Sequence, residues 1–510
     1  MSASTTGACD TSSPSSEWPS SPPELMEKFP SQKQVEVALF ASPGAGHLIP
    51  LVELARRLAT DHGFAVTLVT LTGMSDPAKD AAVLSSLPSS VATAVLPAVS
   101  LADLPPDIGF GTLMFELVRR SLPHLRALME GASHGPVTAL VCDFFGTAAL
   151  PLAAELGAQG YVFFPNSFAM ISIMRHIVEL HGDVAPGEYR DLPDPLPLPG
   201  GLVLRHADLP DGFLDRNDPV YAYLVEEARR YGRADGFLVN SFDELEVAMA
   251  ETFKRDAEDG AFPPVYPVGP FVRSGSGEEA DESACLEWLD RQPEDSVVYV
   301  SFGTGGALSV EQTAELAAGL EMSGHRFLWV VRMPSLDGNP CALGTIPGDK
   351  DDPLAWLPDG FLERTSGRGH AVVAWAPQVP VLSHPATASF VSHCGWNSTL
   401  ESVAAGVPMV AWPLYAEQKT NAAILTEVTG VALRPAARGH GHGLVTREEI
   451  AAAVRELMEG EKGSAVRGRA RELREASKRA WSSEGSSRRA MGEVAGKLKA
   501  ALVNGNESIA

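Results

Sequence analysis

A glycine turn that leads into a helix is the first feature with chemical potential. Gly395 follows an apolar segment typical of a buried strand, and Asn397 and Ser398 open a run typical of a helix. Backbone N–H groups at a helix start, together with these side-chain donors, suit a phosphate. Glu401 lies one turn after Asn397, where its carboxylate could accept two hydrogen bonds from a ribose diol. The sequence therefore predicts a nucleotide site here.

A second set of chemical groups lies in the first part of the chain. His47 follows the glycine turn 44–46, and Asp143 follows the apolar segment 137–142. Because both come at the end of a predicted parallel strand, we expect them to face the same crevice. The carboxylate could hold Nδ1–H of the imidazole and leave Nε2 to remove a proton from a hydroxyl. A histidine that only packs or caps a helix is the alternative, and spacing does not decide between the two.

Other residues near the turn at Gly395 extend the predicted nucleotide site. Trp375 ends a strand and is closely followed by Gln378, which favours stacking on a nucleobase beside a polar amide. His393 could donate to a diphosphate oxygen or simply end a strand. Glu417 and Gln418 form an acid–amide pair of the type that binds sugar hydroxyls, although alone the glutamate would be only a helix-start carboxylate.

The elements that must position these residues follow from the hydrophobic pattern. Strand, helix and strand alternate from residue 35 to about residue 240, and the alternation restarts at 296–302. We therefore predict the α/β class with two doubly wound, Rossmann-like domains. Open sheets of this kind place ligands at the carboxyl ends of their strands, so the site should lie in the cleft between the domains.

Proline-, glycine- and serine-rich segments mark the expected boundaries. We predict a disordered tail at 1–31, a first domain at 32–265, a linker at 266–284, a second domain at 285–482, a helix at 483–503 that packs back toward the first domain, and a tail at 504–510. The loops at 105–115 and 182–209 are expected to belong to the first domain.

The composition and net charge limit the kinds of partner that we expect the protein to bind. The 510 residues carry a formal net charge of −24, which argues against binding to nucleic acid or an anionic membrane. The five cysteines lack metal-type spacing, and neither a signal peptide nor a transmembrane segment is evident. We expect a reduced, cytoplasmic monomer with no metal site.

The turn at 44–46 resembles a dinucleotide-binding fingerprint only in part. Gly44 and Gly46 supply G-x-G, but Ile49 occupies the position of the third glycine. His47 also stands where the backbone should approach a pyrophosphate. An NAD-dependent oxidoreductase is therefore the weaker alternative, and neither a Walker A pattern nor HExxH occurs in the sequence.

The segment 375–418, with HCGWNSTLES near its centre, closely resembles the signature of plant secondary-product glycosyltransferases. These are family-1 UDP-sugar-dependent enzymes of the GT-B fold. The resemblance extends over roughly residues 35 to 500 through SPGAGHLIPLVELARRL, VCDFFGT, FLVNSFDELE and VYVSFGTGG. GAGHLIP, CDFFGT and WPLYAEQ look most like the branch of hydroquinone and monolignol glucosyltransferases.

The resemblance implies an inverting, metal-independent O-glucosyltransferase with UDP-glucose as co-substrate, no cofactor, and a small phenolic acceptor. The first domain would bind the acceptor and the second the UDP-sugar. His47 would be the catalytic base and Asp143 its charge-stabilising partner, with His47 and Ala416 beside the acceptor. The implied donor-binding residues are Thr304, Trp375, Ala376, Gln378, His393, Gly395, Trp396, Asn397, Ser398, Glu401, Glu417, Gln418 and Asn166.

Two positions depart from the usual family pattern. Glu417 stands where aspartate is common, and Thr304 replaces a common serine but keeps the hydroxyl. Gln418 is the residue associated with glucose donors. A non-catalytic UDP-sugar-binding or sensor protein on the same fold is the main alternative, although such a protein would need neither His47 nor Asp143.

Overall fold

The structure is a computed structural model that describes residues 34–74, 77–105, 108–131, 137–183, 187–192, 194–272, 282–341, 352–435 and 443–507. The predicted tail at 1–31, residues 273–281 of the predicted linker and residues 508–510 lie outside these ranges. In the described residues, none of the helices combines the length and apolar character that crossing a membrane requires.

The strands of the first half form a seven-stranded sheet and a small hairpin. They are β1 Glu36–Phe40, β2 Ala65–Thr70, β3 Val91–Val95, β4 Ala139–Asp143, β5 Gln159–Phe164, β6 Leu196–Pro197, β7 Val203–Leu204, β8 Gly236–Val239 and β9 Val265–Pro267. The large sheet is parallel and has the order β3-β2-β1-β4-β5-β8-β9. Strands β1 and β4 are buried along their whole length, as expected for the centre of a sheet covered on both faces.

The helices of the first half connect these strands and cover the sheet. They are α1 Ala45–His62, α2 Pro77–Leu84, α3 Phe110–Glu130, α4 Leu150–Glu155, α5 Phe168–Asp183, α6 Pro219–Arg230 and α7 Val247–Glu258. Helix α1 begins after Gly44, whose φ of 103° suits glycine, and ends at Gly63 in the left-handed conformation. Two hydrophobic clusters on opposite faces of the sheet form the core of this half.

The second half contains a six-stranded parallel sheet. Its strands are β10 Val297–Ser301, β11 Arg326–Val331, β12 Gly369–Val373, β13 Thr387–Ser392, β14 Met409–Ala411 and β15 Ala432–Leu433, in the order β12-β11-β10-β13-β14-β15. Its helices are α8 Glu282–Asp290, α9 Val310–Ser323, α10 Phe361–Thr365, α11 Gln378–Ser383, α12 Trp396–Ala405, α13 Gln418–Ala423, α14 Arg447–Glu459, α15 Glu461–Ala480 and α16 Ser486–Glu507. The α/β class is therefore confirmed for both halves.

Two elements differ from the predicted division of the chain. Strand β9 pairs with β8 and extends the first sheet, so the linker expected from residue 266 cannot begin inside it. Proline suggested a loop here, but an edge strand accommodates Pro267 because one side of its backbone lacks a ladder partner. Helix α16 continues to Glu507, beyond the expected end at 503, and its apolar side chains belong to a cluster of the first sheet.

Candidate active site

The centre of the site is formed where the neighbouring strands β1 and β4 end. Asp143 is the last residue of β4, and its carboxylate is completely buried. His47 lies in the first turn of α1, with Nδ1 3.0 Å from Asp143 Oδ2. The imidazole is about a quarter exposed, at 23%, so it can meet a substrate while the carboxylate cannot.

Ser42 fixes the carboxylate of Asp143 and was not predicted from the sequence. Its hydroxyl donates to Oδ1 over 2.6 Å, and its backbone N–H donates to Oδ2 over 2.9 Å. The parallel register of β1 with β4 pairs Phe40 with Cys142, which brings Ser42 next to Asp143. A serine just after one strand and an aspartate at the end of another are the only sequence signals of this contact.

Aromatic rings cover one side of His47. The Phe145 ring centroid lies 5.1 Å from that of His47, and Phe115 packs edge-on against Phe145 at 4.8 Å. Tyr223 stacks on Phe115 at 5.2 Å, and Phe144 packs against Phe145 at 4.9 Å. We call Phe115, Phe144, Phe145 and Tyr223 the aromatic wall. Phe115 is 2% exposed and supports the half-buried rings of Phe144, Phe145 and Tyr223, which suit a planar apolar substrate. Spacing alone could not have assembled the wall from three separate elements.

The second half contributes the start of α12 to the site. Gly395 is the N-cap of this helix and no side chain caps it, so backbone N–H groups at the positive end of the dipole are available to an anion. Asn397 Nδ2 donates to the carbonyl oxygen of Gly46 over 3.2 Å. Because Gly46 directly precedes His47, the predicted phosphate turn and the predicted base lie on facing sides of one cleft.

The polar residues predicted for the ribose side lie together. Gln378 Nε2 donates to Ser398 Oγ over 2.8 Å and to Glu401 Oε2 over 2.6 Å. Tyr299 OH lies 3.4 Å from Gln378 Oε1. A diol bound here could exchange hydrogen bonds with the amide and the carboxylate. Nearby, Trp375 is 37% exposed, which leaves ring surface for stacking.

His393 is held in a tight glycine-lined position. Burial lowers the pKa of its imidazole to about 4, so the ring is neutral at pH 7. A Cβ at Gly303 would lie 2.7 Å from this ring, and one at Gly395 would also overlap it. The two turns can therefore approach His393 only because positions 303 and 395 are glycine. Thr304, which follows Gly303, is exposed.

Trp396 and Ala376, two of the predicted donor-binding residues, are buried. The Trp396 side chain is 3% exposed, and Nε1 donates to the carbonyl oxygen of Asn240 in the first half over 2.7 Å. Any contact of Trp396 with a ligand must therefore use its backbone. Ala376 is 5% exposed and packs in a core cluster of the second half.

The pair predicted for sugar hydroxyls also lies at the cleft. Asn166 Nδ2, just after β5, donates to Glu417 Oε1 over 3.2 Å. Burial raises the pKa of the Glu417 carboxyl. Gln418 Oε1 accepts from the backbone N–H groups of Leu414 at 2.9 Å and Tyr415 at 3.2 Å, which fixes the preceding turn. Within the described ranges, His, Cys, Asp and Glu form no cluster of three or more suited to a metal ion.

Two Rossmann-like halves with a site at their facing strand ends are the GT-B architecture of glycosyltransferases, and solved structures agree. Phytolacca americana UGT2 complexed with UDP-2fluoro-glucose and pterostilbene is 44% identical, with a TM-score of 0.82 over 91% of this chain and 100% of that one. A Polygonum tinctorium UDP-glucosyltransferase, described as capable of glucosylating indoxyl, is 44% identical with a TM-score of 0.83 over 91% of this chain and 99% of that one.

Sequence relatives identify the family. The hydroquinone glucosyltransferase of Rauvolfia serpentina is 46% identical over 462 residues, which cover 90% of this chain and 97% of the relative. UDP-glycosyltransferase 72B1 of Arabidopsis thaliana is 46% identical over 473 residues, which cover 92% of this chain and 97% of the relative. The family model for UDP-glucoronosyl and UDP-glucosyl transferases matches residues 235–467. The chain belongs to this family and is a UDP-dependent glycosyltransferase. The comparisons support neither the oxidoreductase nor the non-catalytic alternative.

Proposed function

We propose that this enzyme transfers glucose from UDP-glucose to the hydroxyl of a small phenolic compound, with inversion at the anomeric carbon. The observation that carries the proposal is the 3.0 Å contact between His47 and the buried Asp143, facing the uncapped start of α12 across the cleft. A binding protein would not need a histidine–carboxylate pair directed at its ligand.

The proposed reaction proceeds in one displacement. His47 Nε2 takes the proton of the phenolic hydroxyl, and Asp143 stabilises the imidazolium that results. The phenolic oxygen forms a bond to C1 of the glucose while the bond from C1 to the diphosphate oxygen breaks on the opposite face. The backbone N–H groups at the start of α12 and the neutral His393 stabilise the charge that develops on the departing UDP. The product is a β-glucoside.

The remaining residues of the cleft supply recognition. Trp375 would stack on uracil and Gln378 and Glu401 would bind the base and ribose side, while Glu417, Gln418 and Asn166 would bind sugar hydroxyls. The aromatic wall would hold the ring of the acceptor, with Ala416 near its other side. Relatives support this acceptor class, since they include a hydroquinone glucosyltransferase and an enzyme whose structure is a complex with pterostilbene.

Replacing His47 by alanine tests the proposed base. We expect kcat to fall by roughly 10²–10⁴ because general-base assistance is lost, while UDP affinity stays close to that of the wild type. The assay incubates wild type and H47A with UDP-glucose and a panel of phenols, with glucoside read by mass spectrometry and UDP binding by calorimetry. Near-normal turnover by H47A would contradict the mechanism, and no glucoside from the wild type would contradict the proposed function.

The proposal also assigns a role to each half of the chain. The first half, with α16 packed on it, would form the acceptor side and the second half the UDP-sugar side. We further propose that the enzyme acts as a cytoplasmic monomer, which size-exclusion chromatography and cell fractionation can test.

A further inference from the structure

A loop of the first half is hydrogen-bonded to the turn that precedes Glu417. Two short helical turns, His206–Asp208 and Asp211–Phe213, form this loop. The Asp211 backbone N–H donates to the carbonyl oxygen of Ala416 over 3.1 Å, and the Ala416 N–H donates to Asp211 Oδ2 over 2.7 Å. The peptide groups on both sides of Ala416 are therefore held by one residue from across the cleft.

Ala416 needs such support because of its backbone conformation. Its φ is 55°, in the left-handed region that is unfavourable for a residue other than glycine. Conformations of this kind persist when the surroundings determine them from several directions. The two hydrogen bonds to Asp211 provide that constraint, and the Lys419 Nζ contact with Asp211 Oδ1, at 2.8 Å, adds a third point.

The same loop also fixes helix α13, which begins at Gln418. Thr420 Oγ1 donates to the carbonyl oxygen of Asp208 over 2.6 Å, and Arg434 Nη1 contacts Asp208 Oδ1 at 2.7 Å. Glu417 stands between the two anchored points and is the N-cap residue of α13. Its carboxylate reaches Asn166 across the cleft. The direction of Glu417 and Gln418 thus depends on how the first half holds Ala416.

We propose that Asp211 is a positioning residue for recognition of the donor sugar. Asp211 holds Ala416 in its left-handed conformation, and this aims Glu417 and Gln418 at the sugar hydroxyls without Asp211 itself touching the sugar. The inference rests on the proposed function, which assigns the sugar to this pair. It separates sugar recognition from UDP recognition, because the contacts of Asp211 run to Ala416 and Lys419, on either side of Glu417 and Gln418.

The test compares UDP-glucose with UDP alone. Replacing Asp211 by alanine should raise KM for UDP-glucose by about tenfold, equivalent to one lost hydrogen-bonding constraint, and reduce the preference for UDP-glucose over UDP-galactose by a similar factor. UDP affinity should change by less than about twofold. Asp211→Asn keeps an oxygen that can accept from Ala416 N–H and should retain most of the preference. Glu315→Gln, which removes a distant ion pair with Arg447, is the matched control.

Two further measurements make the result decisive. Asp211→Glu keeps the charge but displaces the carboxylate by one methylene, so it should lose sugar preference as D211A does and serves if D211A does not fold. Calorimetry with UDP-glucose and UDP in the absence of acceptor measures the sugar contribution even if transfer fails. Equal losses for UDP and UDP-glucose, or an unchanged sugar preference in both D211A and D211E, would overturn the inference. Absence of transfer by the wild type would overturn only the proposed function.

Discussion

His393 illustrates how burial determines the chemistry of a single residue. A charged imidazole would attract a diphosphate more strongly, yet this ring is 8% exposed and burial holds its pKa near 4. In the proposed mechanism the residue is a neutral hydrogen-bond donor, in a chain whose net charge of −24 opposes an anion. The proposed UDP site therefore depends on local groups rather than on the net charge of the chain.

The depressed pKa of His393 predicts how stability depends on pH. Below the ordinary value of 6.5 the unfolded chain takes up a proton at this ring, whereas the folded chain does so only near pH 4. Because the unfolded state then binds more protons, the free energy of unfolding falls on acidification through this window, by up to about 3 kcal/mol from this residue. In denaturant titrations between pH 7 and pH 4, the free energy of unfolding should fall less for H393Q than for the wild type. An equal fall in both proteins would show that His393 does not cause the pH dependence.

The residues of the site differ in how far the sequence predicts them. His47 and Asp143 follow from strand ends because parallel strands place their carboxyl ends at one edge. Ser42 depends on strand order and register, and Asp211 on how a long loop folds across the cleft. Ser42 and Asp211 could not be predicted because no local sequence pattern encodes the contacts that they make.

At the level of elements, the loops after strands of the second sheet share an unusual backbone feature. Ala374 follows β12 with φ 64°, Cys394 follows β13 with φ 65°, and Ala416 follows β14 with φ 55°. Each residue immediately precedes a residue of the proposed donor site. Non-glycine residues in this region are uncommon, and strain of this kind concentrates at ligand sites.

This strain can be measured at Ala374. Replacing Ala374 by glycine should raise the free energy of unfolding by about 0.5–1 kcal/mol, because relief of the left-handed strain exceeds the extra entropy of glycine in the unfolded chain. Chemical denaturation is the measurement. Ala452 is exposed in the interior of α14, and A452G should instead destabilise by about 1 kcal/mol. Destabilisation of similar size in both variants would show that Ala374 carries no strain.

The element pattern was predicted well where periodicity is strong and poorly where it is not. The central strands of both sheets and helices α14 to α16 follow from continuous apolar runs and helical spacing. Strand β9 has three residues and contains Pro267, so its pairing with β8 could only be recognised in the folded sheet.

At the level of the whole molecule, the chain passes from the first half to the second and then returns. Arg57 of α1 lies over Trp481, 3.5 Å from its ring centroid, and 5.6 Å from that of Phe271. Phe271 follows the first sheet and Trp481 follows α15, so both ends of the second half meet at one point of α1. From there α16 returns to the first sheet and buries Ala490, Met491, Val494, Ala495 and Leu498.

Removal of α16 should therefore unfold the first half. Burying its methionine, valine and leucine contributes roughly 1.5–3 kcal/mol each, and the sum approaches the whole stability of a typical domain. A chain ending at Ser482 is expected to be insoluble or to lack a cooperative thermal transition. A chain ending at Val503, which keeps the buried residues, should fold and keep its activity. A folded, active chain ending at Ser482 would contradict this role of α16.

The return of α16 also sets a rule for recombining this enzyme with its relatives. Exchange of acceptor and donor halves is an obvious way to make new glucosides, but a single crossover near residue 272 would give the first half a foreign helix. Two crossovers are needed, one after Phe271 and one after Trp481. The first half is encoded in two separate pieces of the gene, and most members of a library made with one crossover would combine α16 with a first sheet that it does not fit.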